Sequence, residues 1–218
     1  MKLTSKLIIS AGILFAACQS APKADEAATA EKQQAATATG TSYTIDTTSS
    51  VVGWAGTKPT ATHTGTFKIK DGSVAVENNT LTGGSFTIDI ASLVDNDLTG
   101  EFKGKLEGHL KSPDFFDVAK FPTAKFELTK VEPFDSTKQK SLLPGATHLL
   151  SGNLTLKDST KNVTFPAIVS ITDNALIAQA NFNIDRTEWG MNYKGPNNPQ
   201  DWVIKKEVNL QLNVKAGK

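Results

Sequence analysis

Three residues able to do chemistry stand close together in Gly108–Pro122, GHLKSPDFFDVAKFP: His109, Asp114 and Asp117. A histidine beside carboxylates can bind a metal ion or move protons, and two carboxylates can divide the acid and base roles of glycoside hydrolysis. The same stretch also reads as plain helix chemistry. Ser112 suits an N-cap, Pro113 the first helical position, Asp114 the first turn and Pro122 the stop. On that reading Asp114 complements the helix dipole and Asp117 is solvated. The short capped helix then carries Phe115, Phe116 and Val118.

Signals elsewhere in the chain are sparse. The three histidines, His63, His109 and His148, form no HxH or HxxxH pair, so no metal site is expected and each reads as a hydrogen-bonding residue at a strand end or rim. GxSxG, HExxH and GxGxxG are missing from the sequence. GEFKGKL (Gly100–Leu106) is one residue short of a phosphate loop and has Leu106 where Ser or Thr should hold magnesium. In NFNIDRTEWGMNYKG, Arg186 stands among Asp185, Glu188 and Trp189, with Gly190 able to supply a turn. Arg186 reads either as a cation near a ligand head group or as an ion pair at a strand end.

The chain's ends and composition narrow the field. Lys2 and Lys6 precede an eleven-residue apolar run, Leu7–Ala17. A membrane-spanning helix needs roughly 20 such residues, so the run reads as a signal-peptide core. It ends in LFAAC, which resembles a bacterial lipobox with lipidation at Cys18. Cys18 is the only cysteine, which excludes an intramolecular disulfide and a thiol-paired zinc site. Removing Lys2 and Lys6 takes the formal net charge from +1 to −1, leaving no basic excess for nucleic acid. The expected organisation is a lipoprotein signal peptide over 1–17, a flexible tether over 18–41 and one folded domain over 42–218. The tether follows from residues 19–41, which hold no aromatic or large aliphatic side chain.

Past Tyr43 the apolar residues recur every second position. Phe86, Ile88 and Ile90 form one such set, Val163, Phe165, Ala167, Val169 and Ile171 another, and Leu176, Ala178, Ala180, Phe182 and Ile184 a third. About ten antiparallel strands with one apolar face are predicted, Gly65–Lys70 and Ser73–Val76 among them, joined by KDGS as a turn. They must close as a barrel or pack as a sandwich. Thr99–Pro122 breaks the rhythm. Phe102, Leu106 and Leu110 have helical spacing, although Gly104 and Gly108 weaken a helix by about 1 kcal/mol each.

VVGWAGTK, HTGTFKI, LTGGSFTIDIASL, HLKSPDFFDVAKFPTAKFE, LSGNLTLKDSTKNVTFP and NFNIDRTEWG, in this order, closely resemble the YceI-like family of exported lipid- or polyisoprenoid-binding proteins. The resemblance implies an all-β fold: an extended lipocalin-like antiparallel β-barrel of about eight strands, with a short helical insertion near residues 100–120. It implies a non-enzymatic carrier whose interior takes a long-chain amphiphile (a polyisoprenoid, an isoprenoid quinone, or a fatty acid or amide) at the cell envelope. The expected ligand contacts are Trp54, Phe67, Phe86, Ile88, Leu110, Phe116, Phe126, Leu128, Phe182 and Trp189. His63, His109 and Arg186 form the polar rim, with His109 hydrogen-bonding the helical insertion to the barrel. No cofactor is expected beyond the bound chain. The expected partners are the lipid or isoprenoid, the membrane through Cys18, and a second copy as a possible homodimer. Location is the bacterial envelope, facing the periplasm or the surface. Two alternatives stay open: a secreted enzyme acting on a lipid through His63, His109 or the Asp114–Asp117 pair, and an envelope interaction module with a packed barrel.

Overall fold

Side chains spaced two apart along an extended chain share a face, and here those faces all turn inward. Phe86, Ile88 and Ile90 are buried, as are Val163, Phe165 and Ala167, while Thr87, Asp89 and Thr164 between them are partly exposed. The computed structural model describes residues 22–195 and 203–218, so the expected leader and Cys18 lie outside the described residues. In chain order the strands are β1 (Asp25–Glu26), β2 (Ala28–Glu31), β3 (Thr41–Ile45), β4 (Val51–Lys58), β5 (Ala61–Glu77) and β6 (Thr80–Asp95). After helix α1 (Gly100–Lys111) come β7 (Thr123–Pro133), β8 (His148–Leu156), β9 (Ser159–Ile171) and β10 (Ala175–Asp185). A 3-10 turn at Arg186–Trp189 leads to the last strand, β11 (Glu207–Gly217). Each strand from β4 to β11 pairs antiparallel with the next, and β11 returns to β4. The eight therefore close into a barrel, which leaves a single interior to be filled or to hold a ligand.

Two local expectations fail for identifiable reasons. KDGS is not a turn: β5 runs through it, with irregular register between Ile69 and Asp71. Gly72 stands at φ +155° there because a Cβ would meet the Phe86 Cβ at 2.6 Å. The hairpin turn lies instead at Asn78 and Asn79, whose φ values of 49° and 60° suit asparagine. The second failure is the capped helix starting at Ser112. The helix is α1, which Ser112 terminates, and residues 112–120 form tight turns in place of a second helix. Asp117 adopts φ 48°, and the Asp117 and Phe115 N–H groups both donate to the Ser112 carbonyl.

Residues 22–41, expected as a tether, are laid along the outside of the barrel. Strands β9 and β10 pair only between Ala167–Ile171 and Leu176–Ala180, then diverge. β1 adds to β10 at Phe182 and Asn183, and β2 adds to β9 from Lys161 to Thr164. The segment thus stitches the seam. Further on, Ala36 N–H donates to the Leu128 carbonyl, and Thr39 exchanges bonds with Thr82. A strand edge offers main-chain donors and acceptors to any sequence, so alanine-rich chain can be held without large side chains. Beneath it, outward-facing Asn153 and Asn183 are buried. Asn153 Oδ1 accepts from Gln33 N–H at 3.0 Å while its amide donates to the Gln33 carbonyl at 2.7 Å.

Candidate functional site

A cavity of about 240 Å³ occupies the end of the barrel covered by α1. Strand β4 presents Val52, Trp54 and Gly56 to it, β5 presents Phe67, and β6 presents Ile88 and Ile90. The 112–118 turns fold under the helix end, since Phe116 N–H donates to the Leu110 carbonyl and Val118 N–H to the Lys111 carbonyl. This places Leu106, Leu110, Phe115 and Phe116 as a roof. Phe116 meets Phe67 edge to face, with ring centroids 5.5 Å apart. The helix itself buries no residue, and Phe102 on its outer side is 73% exposed. It rests on the barrel by one edge, as a lid.

Of the residues expected to contact ligand, Trp54, Phe67, Ile88, Leu110 and Phe116 line this cavity. Phe86, Phe126 and Leu128 line a separate void of about 40 Å³ toward the other end. Phe182 and Trp189 line neither. Phe182 stacks on Phe165 at 3.9 Å, and Phe126 packs between Phe86 and Phe165. These rings plug the barrel's middle. Gly152 makes that possible, because a Cβ there would lie 2.2 Å from the Phe126 ring. Trp189 is buried, with Nε1–H donating to the Leu154 carbonyl at 2.9 Å. Sequence reasoning misses several lining residues: Gly56, Leu106, Leu154, Leu156, Ile184, Val208 and Leu210. All but Gly56 and Leu106 stand on the alternating faces already legible, so the missing signal is which end of each strand reaches the cavity.

All three rim residues line the cavity's wall, but not in the expected ways. The His109 Nε2 lies 3.0 Å from Asp114 Oδ2, a bond within the insertion and not one to the barrel. The ring also packs edge-on against Phe115 and Tyr193, at 5.1 and 4.7 Å. What fastens α1 to the barrel is Glu107, which accepts from Asp95 N–H at 2.9 Å. Asp117, expected in solvent, is buried and pairs with Lys120 at 3.3 Å, so it is not presented beside Asp114 as a second catalytic carboxylate.

Arg186 is buried and makes no ion pair among the described residues, contrary to the strand-end ion pair that the sequence suggests. Its neighbour Asp185 is taken by Lys206 at 2.7 Å. The guanidinium donates instead to main-chain carbonyls of Lys205, Met191, Tyr193 and Ile204. Burial pulls its pKa below the ordinary guanidinium value, with Asp185 opposing. The carbonyls hold the charge in the apolar wall, and its face lies 5.8 Å from the Phe115 ring centroid. One further polar atom stands out. Trp54 Nε1 is buried with no hydrogen-bond partner among the described residues.

His63 sits at the cavity rim beside two carboxylates. Its Nδ1 is 2.9 Å from Asp97 Oδ2, and Asp97 Oδ1 accepts from Thr64 N–H at 2.7 Å. Although burial works against it, the Thr64 N–H and the His63 ring hold Asp97 below the usual carboxylate range. Burial pushes Asp95 the other way, upward, helped by a side-chain hydrogen bond to Asp97 and by that residue's charge, against the Leu98 N–H bond.

Comparison with known proteins agrees with this architecture. A family model described as the YceI-like domain matches residues 43–216. The crystal structure of Burkholderia cenocepacia BcnA is similar, with a TM-score of 0.59 at 21% identity, covering 79% of this chain and 99% of that one. A polyisoprenoid binding domain from Saccharophagus degradans, implicated in plant cell wall breakdown, gives a TM-score of 0.58 at 16% identity, covering 80% of this chain and 97% of that one. Both likenesses are of fold. No curated protein matches the chain.

Proposed function

Because the chain belongs to the YceI-like family, we propose that it is a non-enzymatic carrier that takes the apolar tail of a long-chain amphiphile, such as a polyisoprenoid, isoprenoid quinone or fatty amide, into the barrel. The observation that carries this reading is the 240 Å³ cavity, walled mostly by apolar side chains and covered by a helix, α1, that buries none of its own residues. Its volume falls just short of the roughly 300–1,000 Å³ of ordinary ligand pockets, so the occupant is a segment of chain and not a bulky head. Each methylene moved from water into such a wall contributes about 0.8 kcal/mol, so a few isoprene units of carbon suffice for tight binding without a catalytic group. A cavity of this size also disfavours the packed interaction module.

We further propose that the protein is exported and lipid-anchored at Cys18, with the barrel in the periplasm or at the surface. Organic extraction of the purified protein followed by mass spectrometry tests the carrier reading. The expected result is one long-chain amphiphile per barrel. A chain that carries no lipid and takes up neither isoprenoid quinones nor fatty amides would overturn it.

A further inference from the structure

His63 near the start of β5, Asp95 at the end of β6 and Asp97 in the turn before α1 are brought together by the β5–β6 ladder, in which Gly65 stands opposite Asp95. One oxygen of each carboxylate is already fixed: Leu98 N–H donates to Asp95 Oδ1 and Thr64 N–H to Asp97 Oδ1, each at 2.7 Å. Asp97 Oδ2 touches His63 Nδ1; Asp95 Oδ2 is wholly buried and meets no donor among the described residues, and its neighbour Asp97 is another carboxylate, with which it can bond only by taking up a proton. A carboxylate oxygen buried without a donor is strongly destabilising, and the two side chains beside Asp95, Asp97 against its carboxyl and Glu107 on its main-chain N–H, are both acidic. No Lys or Arg among the described residues pairs with Asp95 or Asp97, so a proton or a cation from outside has to neutralise the pair.

We infer that His63 Nδ1, Asp95 Oδ2 and Asp97 Oδ2 form a binding site for a divalent cation of the Zn²⁺ type. One ligand atom from each of the three residues lies within 4.8 Å of the others. Zn²⁺ takes imidazole nitrogen and carboxylate oxygen at about 2.0–2.2 Å, which sets tetrahedral ligands roughly 3.4 Å apart. The His63–Asp97 pair, at 2.9 Å, therefore opens by about 0.5 Å, and the Asp95 ligand oxygen closes in by no more than about 1.4 Å. An imidazole in the set favours Zn²⁺ over Mg²⁺ or Ca²⁺, which prefer all-oxygen ligands. The N–H donors of Thr64 and Leu98 hold the carboxylates in place, as supporting groups do around metal ligands. The ion lies at the cavity's edge, since His63 also lines it, and the Asp95 N–H that holds Glu107 ties the same point to the lid helix. The site does not depend on what the cavity carries.

The test uses the purified full chain, stripped with a chelator and titrated with Zn²⁺ by calorimetry. Binding of one ion per chain is expected, with affinity at least tenfold weaker in both Asp95→Asn and His63→Gln and unchanged in His109→Gln, which removes the exposed His109–Asp114 pair. Co²⁺ in place of Zn²⁺ should give visible absorption that depends on His63. If Asp95→Asn fails to fold by circular dichroism, the largely buried but rim-placed His63→Gln decides. Absence of binding by the folded wild type, or equal binding by wild type and the His63 variant, would overturn the inference.

Discussion

Gly56 offers a direct way to separate the cavity from the fold. It stands on the inward face of β4 with Val52 and Trp54, lines the cavity, and a Cβ built on it meets nothing within 4 Å. Leucine there projects four carbons into the space that ligand would occupy. At about 0.8 kcal/mol per methylene displaced, ligand affinity falls by about 3 kcal/mol, or roughly 200-fold. The fold loses nothing by the change. Replacing a strand glycine whose backbone is not left-handed removes unfolded-state freedom and stabilises by about 0.5–1 kcal/mol. The variant should therefore melt at or above the wild-type temperature while losing affinity for farnesol by calorimetry. Gly104→Leu is the control. Its Cβ also meets nothing within 4 Å, but Gly104 lies on α1 outside the cavity lining, so farnesol affinity should stay at the wild-type value. A folded Gly56→Leu protein that binds farnesol within about threefold of wild type would refute the assignment of the cavity as the binding site.

Two further predictions concern stability. In chelator-treated protein, Asp95→Asn keeps the Leu98 contact and removes an unpaired buried charge, so it should stabilise by about 2 kcal/mol at pH 7, raising Tm by roughly 4–8 °C. Because the folded pKa of Asp95 lies above its unfolded value of about 3.9, its favourable contribution is full below that pH and is lost as pH rises; the Tm difference between variant and wild type should accordingly shrink toward zero near pH 3, and a difference independent of pH would count against the assignment. Asn153→Ala removes both bonds to Gln33 and should destabilise by about 2 kcal/mol, with amide exchange rising first over Ala28–Gln33; unchanged exchange there would show that the outer segment is not held through Asn153.

Much of the barrel is legible in sequence because period-two alternation and burial are the same fact in a closed antiparallel sheet. Val163, Phe165 and Ala167 have to share a face, and that face has to be covered. What alternation does not encode is depth along the axis. Phe86 and Ile88 stand two residues apart on one face of β6, yet Ile88 lines the cavity and Phe86 the smaller void beyond the aromatic plug. The outer segment is illegible for a different reason. Its hold on the barrel is carried by main-chain groups and by outward asparagines, and an asparagine on the polar face of a strand looks the same whether water or another backbone satisfies it.

The same distinction separates the two histidine clusters. His109, Asp114 and Asp117 are neighbours in sequence, and proximity makes them the obvious chemical candidates. In the fold each is answered locally: His109 by Asp114, Asp117 by Lys120. His63 stands more than thirty residues from Asp95 and Asp97 in sequence, and only the long β5–β6 ladder brings them together. There the charge is left over, in a carboxylate oxygen that is buried and unmatched. A cluster whose members satisfy one another has no further ligand to recruit, whereas a buried charge without a partner must be neutralised by a proton or by a cation. The chemistry to look for in this protein therefore lies at the end of β6 and not in the motif that first suggests it.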